Sequence, residues 1–287
     1  MNKKSVNAYI ELCKPRILTL VLVTTALGYF LGGRGFHDVY RFIVTLFGAG
    51  LVCAGAAALN HYIERDADAK MNRTKNRPLP RGIILPNNAL LFGILLVLSG
   101  VLILCAQVNL LTAFLSLLTA FLYILVYTPM KKISWLNTTI GAIPGAIPPM
   151  GGWAAASGQI EPGAWILFLI MFLWQHPHFY AIAWIFKDDY RQAGFKMLPV
   201  VEPDGKWTFI QAVLYSLVLI PISLLPSFIG MSGRIYFWGA LVCGFMLLYF
   251  SRRLQNSKST QMAHQLLRAS VIYLPVLLFL IVIDHSF

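Results

Sequence analysis

Long apolar runs alternate with short polar segments along almost the whole chain. Nine of these runs are roughly 20 residues long, which is enough for a helix to cross the hydrocarbon core of a bilayer. The predicted spans are 16–33, 42–62, 88–106, 110–127, 136–155, 162–186, 208–229, 235–251 and 267–284. The pattern therefore predicts an all-α polytopic membrane protein with about nine transmembrane helices.

The composition agrees with a bundle in lipid. Of 287 residues, 58% are hydrophobic and only 12% are charged. Soluble domains usually carry about 25% charged residues, so this composition excludes an ordinary soluble globular protein. We expect residues 1–287 to form a single integral-membrane domain.

The net charge of +12 would suit a nucleic-acid-binding protein, but its distribution favours another explanation. One side of the predicted topology carries nearly all of the 23 Lys and Arg residues, and the exceptions are Arg34, Arg41 and Arg234. By the positive-inside rule, the basic side faces the cytoplasm. We therefore predict a cytoplasmic N-terminus, a C-terminus outside and no nucleic-acid partner.

Two of the inward loops are long, 63–87 and 187–207, and they follow the second and sixth spans. Each loop begins with acidic residues and continues with basic ones. This order suggests an internal duplication in which each half supplies one side of a shared site at the cytoplasmic end.

An amide and two carboxylates recur at steps of four residues where the second span ends: Asn60, Glu64 and Asp68. On a helix they cover an arc of about 80° and a rise of about 12 Å, so all three can face one cavity, whereas Asp66 points elsewhere. Helix capping and solvation are the alternative roles. Ionisable groups at membrane depth are usually functional, and oxygen ligands suit Mg²⁺.

Basic residues follow within a few positions, and Arg73, Lys75 and Arg77 are the candidates among them. Lys131 ends the fourth span on the same side. These side chains could bind diphosphate oxygens, or attract lipid headgroups and anchor a helix. Acids beside bases favour chemistry on a lipid-soluble diphosphate.

The fifth span is rich in glycine and proline, in the run GAIPGAIPPMGGWAA over 141–155. Proline removes a helical hydrogen bond, so we expect this helix to be broken or kinked beside a cavity. The alternative is close helix packing through small residues. Both roles are compatible.

The sixth span contains two histidines, His176 and His178. A charged histidine is costly inside a membrane, so either should be neutral and hydrogen-bonded. Either could ligate a haem iron or bond a neighbouring helix. His178 lies within about 20° of the helix face of Asp189, which favours it for facing the cavity.

Together these residues resemble the UbiA superfamily of intramembrane prenyltransferases, over nearly the whole chain. The first motif of that family matches Asn60, Glu64 and Asp68, and a middle Glu is typical of its haem-modifying branch. The other matching segments are MNRTKNRPLPRG, NTTIGAIPGAIPPMGGW, WQHPHF and DYRQAGFKMLP. The second motif departs from the usual Asp pair spaced by three residues, because Asp188 and Asp189 are adjacent.

The resemblance implies a reaction and a site. The farnesyl group of farnesyl diphosphate would join a vinyl group of haem b, giving haem O for haem–copper oxidases and releasing diphosphate. The active cavity would open to the cytoplasmic side of the bundle. The implied ligands are Asn60, Glu64, Asp68, Asp188 and Asp189 for Mg²⁺, Arg73, Lys75, Arg77 and Lys131 for diphosphate, and His176 and His178 for haem.

The resemblance also implies surroundings and leaves alternatives. We expect a bacterial cytoplasmic (inner) membrane, contact with membrane lipid, and the haem A synthase of the same pathway as a partner. A related enzyme that prenylates an aromatic quinone precursor would need no iron ligand. A transporter would spread charges across the midplane, whereas here they cluster at one face.

Overall fold

In the computed structural model, which describes residues 3–286, the chain is all-α. Residues 1, 2 and 287 and the side chains of Lys3 and Lys4 lie outside that description. An isolated bridge pairs Ser232 with His285. The helices are α1 (Lys3–Leu12), α2 (Pro15–Gly32), α3 (Val39–Asp68), α4 (Pro86–Gln107), α5 (Leu110–Phe121), a π-helical segment (Leu122–Tyr127), α6 (Thr128–Ile133), α7 (Asn137–Ser157), α8 (Pro162–Ile185), α9 (Lys187–Gln192), α10 (Leu198–Val201), α11 (Lys206–Phe228), α12 (Arg234–Ser257) and α13 (Thr260–Ile283).

The long helices confirm the prediction of a polytopic membrane bundle. Within the described residues, eight helical stretches are long and apolar enough to cross a membrane, and one of them joins α5, the π-helical segment and α6. Large apolar side chains such as Phe47, Leu110 and Phe228 are exposed on the outside, where lipid would cover them. Helix α7 is the ninth long helix; it is less apolar because it is rich in glycine, proline and threonine, and most of it is enclosed by protein.

Helix α7 is not broken, which corrects one of the two forms expected for it, broken or kinked. It runs without a break from Asn137 to Ser157, although Pro144, Pro148 and Pro149 lie inside it. Glycines bring it into backbone contact with α2: an added Cβ at Gly152 would lie 1.9 Å from the carbonyl oxygen of Thr25. Close packing therefore accounts for the small residues on one side of α7, while another side lines a cavity.

The two long polar loops meet at one end of the bundle. The backbone N–H of Arg73, in the first loop, donates to Asp189 Oδ2 at 3.1 Å. The N–H of Lys196, in the second loop, donates to the carbonyl oxygen of Lys131 at 2.6 Å. Apolar residues from both loops are buried together beneath these bonds, including Met71. The loops, the end of α3 and the end of α6 thus form one layer.

We predict that Gly152→Ala destabilises the protein and that Gly151→Ala does not. The new methyl at position 152 would collide with the α2 backbone. Overpacking of this kind costs about 1–3 kcal/mol. A Cβ at Gly151 would meet nothing within 4 Å. Thermal unfolding of the two purified variants in the same detergent measures the difference, and equal melting temperatures would contradict the close α2–α7 contact.

Candidate active site

A cavity of about 480 Å³ opens between the helices beneath the loop layer. Helices α2, α3, α5, α7 and α8 contribute its walls, which are mostly apolar. Its charged groups are concentrated at the loop end. They are Lys14, Glu64, Asp68, Arg73, Arg77 and Lys131. The volume lies within the usual range for a small-molecule site.

Helix α3 carries the three predicted oxygen-bearing side chains. Glu64 and Asp68 line this end of the cavity, whereas Asn60 does not line it and is bonded to Lys14, which does. The helix continues to Asp68, so Asn60, Glu64 and Asp68 share one face, and all three are buried. Asp66 points away into solvent and lies 3.8 Å from Arg65 Nε. The spacing argument therefore gave the correct face.

Each of the three side chains has a cationic partner. Lys131 Nζ lies 2.6 Å from Glu64 Oε1, and Arg77 Nη1 lies 2.8 Å from both carboxylate oxygens of Asp68. Lys14 Nζ donates to Asn60 Oδ1 at 2.5 Å. Buried carboxylates need such pairing, because an uncompensated charge in a low-dielectric interior is strongly destabilising.

Positive charge exceeds negative charge at this end, since Lys14, Arg73, Arg77 and Lys131 face only two carboxylates. The excess suits an anionic ligand. Lys14, between α1 and α2, has a second property. Burial lowers the pKa of its amine to about 7, although the nearby Glu64 carboxylate opposes that shift. Lys14 therefore titrates in the physiological range.

The π-helical segment orients the side chain of Asn60 through Thr128. Its wider turn lets Thr128 Oγ1 donate to the carbonyl oxygen of Tyr123 at 2.8 Å and accept from Asn60 Nδ2 at 2.9 Å. The Asn60 amide is thereby oriented with its oxygen toward Lys14. π-helical turns inside α-helices frequently occur at functional sites. Sequence reasoning missed this segment, although Pro129, which cannot donate to the Leu125 carbonyl oxygen, is a local signal of a disturbed helix.

Tyr127 lies beside the same charge cluster. The amine of Lys131 is 4.6 Å from the centre of its ring. The ring fits because residue 141 is glycine, and an added Cβ there would lie 2.5 Å from it. Tyr123, Tyr127 and Lys14 line the cavity but were not among the predicted site residues. Lys14 had entered the sequence argument only as a topological charge.

The predicted diphosphate ligands separate into two groups. Arg73, Arg77 and Lys131 line the cavity. Lys75 does not, because its exposed amine is bonded to Asn72 Oδ1 at 3.0 Å. The direction of a side chain in a loop depends on how that loop folds back, so spacing alone could not distinguish Lys75 from Arg77.

The two adjacent aspartates do not line the cavity. Asp188 is exposed and pairs with Arg191 at 2.8 Å, while Asp189 accepts the Arg73 N–H at the edge of the loop layer. Neither joins Glu64 and Asp68 in a cluster. Across residues 3–286, no group of three His, Cys, Asp or Glu side chains is arranged to hold a metal. The expected role of Asp188 and Asp189 as direct metal ligands therefore has no geometric support.

The structure distinguishes the two histidines. His178 lines the cavity, with its Nδ1 at 2.9 Å from Ser270 Oγ. His176 is fully buried and stacks on Tyr215, with ring centres 3.6 Å apart. Side chains two positions apart on a helix point in directions that differ by about 200°. His176 accordingly does not line the cavity. The structure places His176 in the packing between helices, so it gives the expected contact of His176 with haem no geometric support.

Comparisons with known proteins identify the family of this chain. The profile of the UbiA prenyltransferase family matches residues 21–274. A relative from Solibacter usitatus named protoheme IX farnesyltransferase is 46% identical over 286 residues, which cover 96% of this chain and 98% of the relative. A relative of the same name from Legionella pneumophila (strain Paris) is 39% identical and covers 97% of this chain and 95% of its own length.

Solved structures show the same fold. A structure of digeranylgeranylglyceryl phosphate synthase superimposes with a TM-score of 0.83 at 19% identity, covering 98% of each chain. A UbiA homologue from Archaeoglobus fulgidus bound to GPP and Mg²⁺ gives a TM-score of 0.68 at 16% identity, covering 96% of this chain and 99% of its own. Because the family profile matches most of the sequence and the relatives match over nearly their full length, the chain belongs to the UbiA prenyltransferase family.

Proposed function

We propose that this chain transfers the farnesyl group of farnesyl diphosphate to a vinyl group of haem b, giving haem O and diphosphate. One observation carries the proposal. Cationic side chains and buried carboxylates lie together at one end of a large, mostly apolar cavity, and His178 is part of the cavity wall. The name shared by the relatives supports haem as the acceptor. An aromatic quinone precursor would not need His178.

The donor set on α3 fits a divalent cation such as Mg²⁺. Asn60 supplies an amide oxygen, and Glu64 and Asp68 supply carboxylate oxygens, all from one buried helix face. Hard cations prefer oxygen ligands of this kind. When bound, Mg²⁺ would neutralise diphosphate charge and so stabilise the leaving group. We infer that these three residues would supply oxygen ligands, with more than one ion needed to reach both Asn60 and Asp68, whereas Asp188 and Asp189 lie apart from them.

Arg73, Arg77 and Lys131 are the groups that we assign to the diphosphate oxygens. Arginine is suited to phosphate because its planar fork donates two parallel hydrogen bonds. As the allylic C–O bond breaks, its electron pair leaves with diphosphate, whose growing charge these residues stabilise. Arg77 and Lys131 are held in place before reaction by Asp68 and Glu64.

The apolar walls then determine the order of bond formation. The farnesyl cation must meet the electron-rich vinyl group before it meets water, and the mostly apolar walls exclude bulk water. The vinyl electron pair forms the new C–C bond and leaves a cation on the haem side. Water adds there and loses a proton, which gives the hydroxyethyl group of haem O.

We further infer the setting of this reaction. The chain is an integral membrane protein, and we assign the loop layer to the cytoplasmic side of a bacterial inner membrane, with the N-terminus inside and the C-terminus outside. Residues 1–287 act as one domain in this proposal, and the similar loops 63–87 and 187–207 are consistent with internal duplication. Haem O would then pass to the haem A synthase of the same pathway.

The direct test is to incubate the purified protein with haem b, farnesyl diphosphate and Mg²⁺, and to separate the extracted haems by chromatography. We expect haem O only when all three are present, and none in excess chelator. Prenylation of a quinone precursor with no haem O formed would refute the proposed acceptor. Full turnover in chelator would refute the metal requirement.

We predict that Glu64→Gln and Asp68→Asn each lower turnover by at least about 10-fold, or about 1.4 kcal/mol in the barrier. Each substitution removes a charged oxygen ligand with little change of shape. Asp66→Asn is the matched control, because Asp66 lies on the same helix but faces solvent. Initial rates of haem O formation measure the effect, and normal rates in both variants would leave the two acids with a capping role only.

We predict that Arg77→Gln raises the KM for farnesyl diphosphate by about 10-fold and that Lys75→Gln changes it by less than about 2-fold. Both substitutions remove one positive charge from the same loop, but only Arg77 lines the cavity. Because Arg77 also pairs with Asp68, Arg77→Lys serves as a second variant that keeps the charge. Equal KM changes at positions 75 and 77 would contradict a directed contact.

We predict that affinity for farnesyl diphosphate falls as the pH rises from about 6 to about 8, and that Lys14→Gln weakens this dependence. The pKa of Lys14 is lowered to about 7, so its amine is cationic below that pH and loses its proton above it. Diphosphate binding favours the cationic form. Dissociation constants for wild type and variant across the same buffers isolate Lys14 from titration of the ligand. Parallel curves would count against its contact with the anion.

A further inference from the structure

Ser270, on α13, holds two side chains of the cavity wall at once. Its backbone carbonyl oxygen accepts from Trp174 Nε1 at 2.8 Å, and its hydroxyl oxygen lies 2.9 Å from His178 Nδ1. The rings of Trp174 and His178 stack, with centres 5.0 Å apart and planes inclined by 25°. Ser270 is fully buried, and both rings line the cavity. The imidazole is therefore fixed at its face and at one edge.

The hydrogen-bond geometry of Ser270 is compatible with a proton on Nδ1 of His178. A serine hydroxyl has one hydrogen. Ser270 donates it to the carbonyl oxygen of Leu267 at 2.7 Å. With its proton on the Leu267 carbonyl, the hydroxyl oxygen accepts from His178 Nδ1–H, which is the tautomer that the proposal below assigns. In the neutral ring, Nε2 consequently keeps its lone pair.

Within the described part of the chain, Nε2 is the ring nitrogen of His178 that is left without a partner in the cavity wall. In residues 3–286, His178 Nε2 has no hydrogen-bond partner, and it is not enclosed by protein. His176 differs in both respects: Nδ1 bonds the carbonyl oxygen of Phe172 at 2.8 Å, and Nε2 lies 3.3 Å from Thr139 Oγ1. His178 therefore has one ring nitrogen without a partner among the described residues, whereas both ring nitrogens of His176 have one.

We propose that His178 Nε2 binds the iron of the porphyrin acceptor and that Ser270 is a positioning residue that fixes the required tautomer. The proposal rests on the proposed function, because it takes haem b as the acceptor. Metal-bound histidines almost always donate their other N–H to a second partner, which orients the ring and raises its basicity. Ser270 provides that partner here.

Iron ligation would also place the acceptor relative to the diphosphate end. Helix α8 ends at Ile185 and α3 ends at Asp68, and both ends lead into the loop layer. With a rise of about 1.5 Å per residue, His178 lies about 10 Å from the end of its helix. By the same rise, Asn60 lies about 12 Å and Glu64 about 6 Å from the end of theirs. A porphyrin held at His178 therefore occupies the depth of the α3 donor set, where the reactive end of the farnesyl chain would lie.

The test separates iron ligation from pocket shape by using two porphyrins. Purified full-length wild type and His178→Ala are titrated with haem b and with metal-free protoporphyrin IX, without farnesyl diphosphate, and absorption spectra are recorded. We expect His178→Ala to lose the haem spectral shift and to weaken haem binding at least about 10-fold, or about 1.4 kcal/mol, while protoporphyrin binding is unchanged. Added imidazole should restore the shift in His178→Gly.

Variants at Ser270 and His176 complete the design. Ser270→Ala should weaken haem binding and reduce the spectral shift, whereas Ser270→Thr, which keeps a hydroxyl, should resemble wild type. His176→Gln is the matched control and should keep the wild-type haem spectrum, because both nitrogens of His176 are engaged in packing.

Two outcomes would overturn the inference. One is a wild-type haem spectrum and affinity in His178→Ala, and the other is an equal loss of affinity for both porphyrins in that variant. Failure of the proposed function is a separate result, in which wild type binds haem but chromatography detects no haem O. Haem O formed by wild type together with an unchanged His178→Ala spectrum would reject the ligand assignment alone.

Discussion

Burial of two carboxylates inside a membrane bundle is the constraint on which the site depends. Glu64 and Asp68 are enclosed by protein. An unpaired charge there would be strongly destabilising. Each must therefore have a cation from another part of the chain, Lys131 from α6 and Arg77 from the first long loop. The loop folds back over the bundle, and α6 ends beside α3, in the positions that these pairs require.

The small residues of α7 serve the same site from the opposite side. On one face, Gly152 permits backbone contact with α2, whose first residue directly follows Lys14. On another face, Pro144, Gly145, Pro148 and Gly151 form a wall of the cavity without filling it. A helix of large apolar residues would satisfy the membrane equally well, but it would close the space in which two bulky substrates must meet.

Features that follow from helical periodicity were predictable from sequence. The common face of Asn60, Glu64 and Asp68, the outward direction of Asp66 and the choice of His178 over His176 all depend on about 100° per residue. Features set by tertiary contacts were not predictable. The inward turn of Arg77 but not Lys75 and the role of Lys14 depend on how separate segments meet, which no local spacing encodes.

The ion pairs of the site couple the binding of two ligands. Lys131 and Arg77 are engaged with Glu64 and Asp68, so an anion that attracts the two cations leaves both carboxylates short of positive charge. A divalent cation that occupies the carboxylates likewise releases both cations for an anion. Each ligand therefore increases the affinity for the other, and thermodynamic linkage requires the two effects to be equal. Under the proposed function, the paired charges would make the site cooperative for a metal and a diphosphate.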